Sequence, residues 1–172
     1  TRRGPEEYGR IAEYIAKTIS ARKGNYMVFF PSYRMLEDIY DIYLEKFAGQ
    51  NEKILCQSPS MQENAREEFL AEFDCEQETT LLGFCVMGGI FAEGIDLTGE
   101  KLIGAIIVGT GLPQISNERQ ILKDYYDERG LSGFDYAFRY PGINKVLQAA
   151  GRVIRTQEDR GIILLLDERF LQ

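Results

Sequence analysis

The chain has 172 residues, 44% of them hydrophobic, which suits one ordinary soluble domain with a real core rather than a disordered segment. Its 20 Lys and Arg against 27 Asp and Glu leave a net charge of −7, which argues against whole-surface attraction to nucleic acid but leaves room for a local basic groove. No uncharged apolar run reaches the roughly 18 residues of a membrane span, so no membrane association is expected.

Thr1-Arg2-Arg3-Gly4-Pro5 has neither a signal-peptide core nor a starting Met, as expected of a processed or truncated chain. Next, Ile11, Ile15 and Ile19 recur at helical spacing. Tyr26 to Phe30 is an aromatic and β-branched run stopped by Pro31, which predicts a buried strand. Leu36, Ile39, Tyr43 and Phe47 give a second helix, and Ile54-Leu55 a weak strand. Ser60 with Glu63 reads as a capping box for a third helix that carries Met61, Ala65, Phe69 and Phe73 on one face.

Thr80 to Met87 and Leu102 to Val108 are further strands, ended by Gly88-Gly89 and by Gly109-Thr110-Gly111. Ile115 to about Tyr126 is helical, with Asn117 as a possible cap, and Pro141-Gly142 opens a helix from Ile143 to about Ile154. Ile162 to Leu166 closes the set as a strand. Strands alternating with helices predict one α/β domain over residues 1–172, its mostly parallel sheet covered on both faces. Ligands of such sheets bind beyond the carboxyl ends of the strands.

Cys56, Cys75 and Cys85 are widely spaced, no C-x-x-C pair exists and there is no histidine, so no protein-only metal site is expected. The thiols read as free cysteines of a cytoplasmic protein.

Gln148-Ala-Ala-Gly-Arg-Val-Ile-Arg155 is the most informative segment. At about 100° per residue, a continuous helix puts Gln148, Arg152 and Arg155 on one face, extended backwards by Asn144 and Lys145. Val146, Leu147, Ala150, Val153 and Ile154 then fall opposite. Two arginines with no acid at i−3 or i−4 suit a polyanion, because each guanidinium grips phosphate oxygens with two donors. A solvated basic face is the other reading of the same stripe. Gly151 inside a helix costs roughly 1 kcal/mol relative to Ala, which hints at a close approach to the backbone.

Gly88-Gly-Ile-Phe-Ala-Glu-Gly-Ile-Asp96 follows a strand and holds Glu93, Gly94 and Asp96 at the sheet edge. It reads as a phosphate-facing loop, a metal site, a ribose clamp or a plain turn. Gly-Lys-Ser/Thr appears nowhere, and G-x-G-x-x-G is absent.

Gln148 to Arg155 resembles Q-x-x-G-R-x-x-R, motif VI of superfamily-2 helicases. Glu93-Gly94-Ile95-Asp96 resembles motif V of the DinG/XPD-like helicases, and Met27 to Tyr33 resembles their motif IV. Gly109 to Pro113 and Leu164 to Phe170 resemble the family's later turn and closing strand. The resemblance implies a RecA-like sandwich, the second motor domain of an ATP-dependent DNA helicase that moves 5′ to 3′, with a role in DNA repair. By the same resemblance Arg152 and Arg155 reach the ATP γ-phosphate with Gln148 beside them, and Glu93, Gly94 and Asp96 face the nucleotide. Ser32, Tyr33, Gly88, Thr110 and Gly111 face single-stranded DNA. Ser32 also has a plain reading, as the cap of the helix that starts near Arg34.

The phosphate loop, its Lys and the Mg2+-holding acid of a first motor domain are missing, so ATP and Mg2+ are expected to be held mainly by that domain. The isolated chain is expected to be inactive as an ATPase. An RNA helicase, a DinG-like nuclease or a non-catalytic nucleotide- or protein-binding α/β domain are the alternatives.

Overall fold

In the computed structural model, which describes residues 4–89, 91, 97, 99–154 and 157–171, these segments assemble as an α/β sandwich. The order is α1 (Pro5–Ala21), β1 (Asn25–Phe30), α2 (Tyr33–Lys46), β2 (Glu52–Cys56), α3 (Glu63–Asp74), β3 (Thr80–Val86), β4 (Gly104–Val108), α4 (Asn117–Asp127), α5 (Tyr140–Ala150) and β5 (Ile162–Leu166). The five strands form one sheet in the order β2-β3-β1-β4-β5, and every pairing is parallel.

The central strands β1, β3 and β4 are buried along their whole length, as strands covered on both faces must be. Alternate residues feed two cores. Tyr26, Val28 and Phe30 pack with α1 and α2, whereas Met27 and Phe29 pack with α3 and α5. Phe84 centres the first core, stacked on Phe30 at 5.7 Å and met edge-on by Tyr40 and Tyr43 at 5.2 and 5.6 Å. Phe69 stacks on Phe73 at 5.9 Å and meets Phe91 at 4.5 Å in the second. Such ring pairs contribute about 0.5–1.5 kcal/mol each beyond area burial.

Four expectations change. Ser60 does not cap α3: Gln62 holds that position, with no side-chain cap bond, so the capping box does not form. Ser116, not Asn117, caps α4, its hydroxyl accepting from Arg119 N at 3.3 Å. β5 lies at the sheet edge with Ile162, Ile163 and Leu165 exposed, because only β4 flanks it. The last helix ends at Ala150 rather than near Ile154. It is entered through a π-helical turn, Asp135–Arg139, whose Tyr136 stacks on Tyr126 of α4 at 4.2 Å.

Candidate functional site

A parallel sheet puts all its strand exits on one edge, and the order here divides them. From β1 the chain goes to one side for β2 and β3 and to the other for β4 and β5. The loops after β3 and β4 therefore flank the exit of β1, the place where such sheets form a binding crevice. Met87 N donates to Phe30 O at 2.8 Å, tying the β3 exit to the β1 exit. On the other side Gly109 N donates to Leu166 O at 3.2 Å.

Ser32 and Tyr33 sit at this edge, half-buried. Ser32 is the N-cap of α2, its hydroxyl accepting from Met35 N at 3.3 Å, so its plain reading holds. The Tyr33 hydroxyl accepts from Gln57 Nε2 at 2.7 Å, and Gln57 Oε1 accepts from Val86 N at 2.8 Å. Gln57 is 1% exposed and thus fastens the β1 exit to the end of β3. Burial raises the Tyr33 phenol above its ordinary value, and the Gln57 hydrogen bond opposes this in part.

Gly88 and Gly111 have φ of +68° and +64°, the left-handed region in which a side chain is strained. Gly88 is exposed at the rim, whereas Gly111 is packed beneath it. A Cβ on Gly111 would stand 3.1 Å from Gly142 O and 3.4 Å from Lys145 Cβ. One on Gly88 would stand 3.2 Å from Lys145 Cε. Thr110 Oγ1, in the loop after β4, is buried and has no hydrogen-bond partner among the described residues, a state that costs about 1–3 kcal/mol where no partner is made. Ser32, Tyr33, Gly88, Thr110 and Gly111 thus share one edge.

α5 connects this edge to the opposite one. At its start, a Cβ on Gly142 would fall 2.8 Å from Thr110 O. Beyond its end, Val153 packs on Gly161, next to Ile103 at the foot of β4. Its 11 residues span about 16 Å. The packed stripe is Gly142, Val146, Ala149 and Val153. Leu147 and Ile154, expected to pack, are 61% and 45% exposed, and Ala150 is only half-buried. The small Ala149 takes the inward position and permits close contact with the sheet.

Gln148 is exposed in the last turn of α5, as expected of a polar face. Arg152 does not share that face. Gly151 caps the helix, and Arg152 N and Val153 N donate to Ala149 O and Ala150 O at 3.3 and 3.1 Å in a tightened turn. The 100° step therefore stops applying at Gly151. The backbone that approaches Gly151 is the chain's own, since a Cβ there would lie 3.1 Å from Leu147 O. Arg152 is 9% exposed and is engaged within the chain, so it is not a solvated side chain. Arg155, Glu93, Gly94 and Asp96 lie outside the described residues.

Sequence reasoning did not single out Gln57, which carries only the weak signal of an amide just past a strand. It noted Lys145 only as an extension of the arginine face. Among the described residues no group of three metal-ligating side chains occurs, and no described helix is long and apolar enough to cross a membrane.

The carboxyl-edge loops and the α5 turn can be set beside known proteins. A solved structure titled XPD_APO superposes with a TM-score of 0.77 at 24% identity, covering 98% of this chain and 33% of that one. Domain 2 of the DEAD-box helicase Mss116p, bound to an RNA duplex, superposes at 0.57 with 16% identity, covering 97% of this chain and 52% of that one. These likenesses establish the fold. A probable ATP-dependent helicase of Methanocaldococcus jannaschii is 29% identical over 169 residues, covering 91% of this chain and 25% of the relative. The regulator of telomere elongation helicase 1 homolog of Drosophila erecta is 31% identical over 159 residues, covering 84% of this chain and 16% of the relative. The chain thus spans a quarter or less of the length of these two relatives. The helicase C-terminal domain model matches residues 15–172, nearly the whole chain, and the protein belongs to that family.

Proposed function

We propose that this chain is the second motor domain of an ATP-dependent DNA helicase, and that it works as one wall of a cleft closed by a first motor domain. The observation that carries the reading is the division of labour along α5. Its start is packed on the loop after β4 that carries Thr110 and Gly111, and its Lys145 reaches Gly88 after β3. Its end delivers Gln148, Arg152 and the segment leading to Arg155 about 16 Å away. One rigid helix thus joins a backbone-binding edge to a phosphate-sensing turn.

The residues at the α5 end fit an outer phosphate of ATP. They offer amide and guanidinium donors, and the exposed last turn of the helix carries no carboxylate. Bound Mg-ATP supplies the cleavable phosphoanhydride. This chain's part is to place Gln148, Arg152 and Arg155 where charge develops when the cleft is shut. Glu93, Gly94 and Asp96 are proposed to touch the nucleotide from the loop after β3. Mg2+ ligands are assigned to the first motor domain.

At the other edge, backbone N–H groups and hydroxyls grip the phosphodiester chain with little sequence preference. The relatives named above are helicases, which favours this reading over a non-catalytic domain. DNA is taken as the substrate over RNA, and unwinding over nuclease action, with cytoplasmic DNA repair as the setting.

The test is steady-state phosphate release and strand separation. The chain alone releases no phosphate, with or without single-stranded DNA. Joined to its first motor domain, it hydrolyses ATP in a DNA-stimulated way and unwinds DNA better than RNA duplexes. Helicase-like turnover by the isolated chain contradicts the proposal, and preference for RNA returns it to the RNA-helicase alternative.

A further inference from the structure

Lys145 lies where no family motif was recognised in this sequence. Its side chain crosses the gap between the two strand-exit loops that flank β1. The β carbon is 3.4 Å from the point where a Gly111 Cβ would stand, and the ammonium is 3.7 Å from that of Gly88. Both glycines have positive φ, so both backbones are held in turns that leave the lysine room to pass. The stem is half-buried between the loops and the charge emerges at Gly88, which is exposed.

In a chain of net charge −7, Lys17, Lys53, Lys101 and Lys123 each pair with a carboxylate. Among the described residues Lys145, like Lys23 and Lys46, has no such partner, and of these three it is the one placed between the strand-exit loops. An ammonium packed by its stem, held over two glycine turns and left without a counter-charge, suits a phosphate oxygen.

We infer that Lys145 is a phosphate-binding residue of the nucleic-acid track, bridging the loops after β3 and β4 and neutralising one phosphodiester of the bound single strand. The inference rests on the reading of that edge as a nucleic-acid surface. A nucleotide phosphate is the other source of the same chemistry. The position of Lys145 favours the strand: it sits beside Gly111 and Gly88, on the rim side of Gln148 and Arg152. The geometry also ties strand binding to α5 itself, the helix that ends two residues before Arg152.

One neutralised phosphate has a defined signature. On single strands each contact contributes about 0.7 to the slope of log affinity against log salt. Losing it weakens binding about fivefold at ~0.1 M salt and about threefold at ~0.2 M, uniformly across sequences. The experiment measures binding of the chain to fluorescent oligothymidylate from about 50 to 200 mM NaCl. It compares wild type, Lys145→Gln, Lys145→Arg and Lys23→Gln, a lysine next to the amino end of β1. Circular dichroism confirms that each variant is folded, and nucleotide-analogue binding is measured on the same variants in the helicase that contains the first motor domain.

The expected result is a slope reduced by about 0.7 in Lys145→Gln, restored by Lys145→Arg and unchanged in Lys23→Gln. Wild-type slope in folded Lys145→Gln overturns the inference and leaves the nucleic-acid reading standing. Loss of nucleotide affinity with the slope intact also overturns it, in favour of the nucleotide source. No salt-dependent binding by wild type overturns the nucleic-acid reading itself, and this inference with it.

Discussion

Gln57→Ala removes both halves of a buried bridge. Val86 N–H, now donating to Gln57 Oε1 at 2.8 Å, is left in a buried strand without an acceptor. Such a loss costs about 1–3 kcal/mol. The Tyr33 hydroxyl loses the Nε2 donor at 2.7 Å, but it is half-buried and can turn to water, so this part is about 0.5–1 kcal/mol. The buried methylene that disappears adds about 0.8 kcal/mol. The sum is about 2–5 kcal/mol, a large share of the stability of an ordinary domain. Urea unfolding of Gln57→Ala, Tyr33→Phe and the double variant measures it. Tyr33→Phe alone should cost about 1 kcal/mol, with a coupling of about 0.5–1.5 kcal/mol between the two sites. A Gln57→Ala loss below about 0.5 kcal/mol, the scale of an ordinary surface substitution, refutes the bridge.

Gly111→Ala should destabilise more than Gly88→Ala. Both force φ near +65° on an L-residue, at about 1–2 kcal/mol, but only Gly111 also meets a backbone oxygen, at 3.1 Å, where Gly88 meets a flexible lysine; equal losses in urea unfolding contradict this packing. Ser116→Ala should cost about 0.5–2 kcal/mol through loss of the α4 cap, while Asn117→Ala leaves stability nearly unchanged; the reverse order in the same assay restores Asn117 as the cap. Burial first, and then Glu37 and Asp41, push the Cys56 thiol up to about 11. Iodoacetamide should therefore modify Cys56 far more slowly than the exposed Cys75 at pH 8, with a rate that climbs up to about pH 11. The raised value stabilises the fold fully below the ordinary thiol range near ~8.5 and is lost as pH rises through about 11, so urea midpoints should fall across that window and fall less in Cys56→Ala. A flat rate profile for Cys56 contradicts its burial.

Much of this fold was legible because apolar runs and helical spacing record burial directly. Tyr26 to Phe30 and Thr80 to Met87 have no polar face to show water, and Ile11, Ile15 and Ile19 are the buried face of α1. β5 shows the limit of that signal. Ile162 to Leu166 is as apolar as a central strand, yet its exposure follows from its place in the sheet order, which composition does not carry. The cap errors have a local cause: Ser60 and Asn117 are both good capping residues, and only the path of the backbone selects Gln62 and Ser116. The α5 reading failed where a helical wheel was carried through Gly151, which ends the helix and turns Arg152 inward. The clustering of Ser32, Tyr33, Gly88, Thr110 and Gly111 was legible through their strand-exit positions. Gln57 and Lys145 were not, because each matters through contacts with loops distant in sequence.

The most direct test of the proposed motor role is single-turnover ATP hydrolysis by the two-domain helicase carrying Arg152→Ala, Arg155→Ala or Arg155→Lys. Nucleotide affinity and thermal unfolding are measured alongside, because Arg152 is buried and engaged within the chain. Guanidinium donors aimed at developing charge should affect turnover more than ground-state binding. The account predicts a folded Arg155→Ala protein that binds nucleotide nearly normally and hydrolyses it slower by on the order of 10³ to 10⁵, unrescued by Lys, with a comparable loss in Arg152→Ala. Near-normal hydrolysis in all three variants would contradict it and return this segment to a structural role.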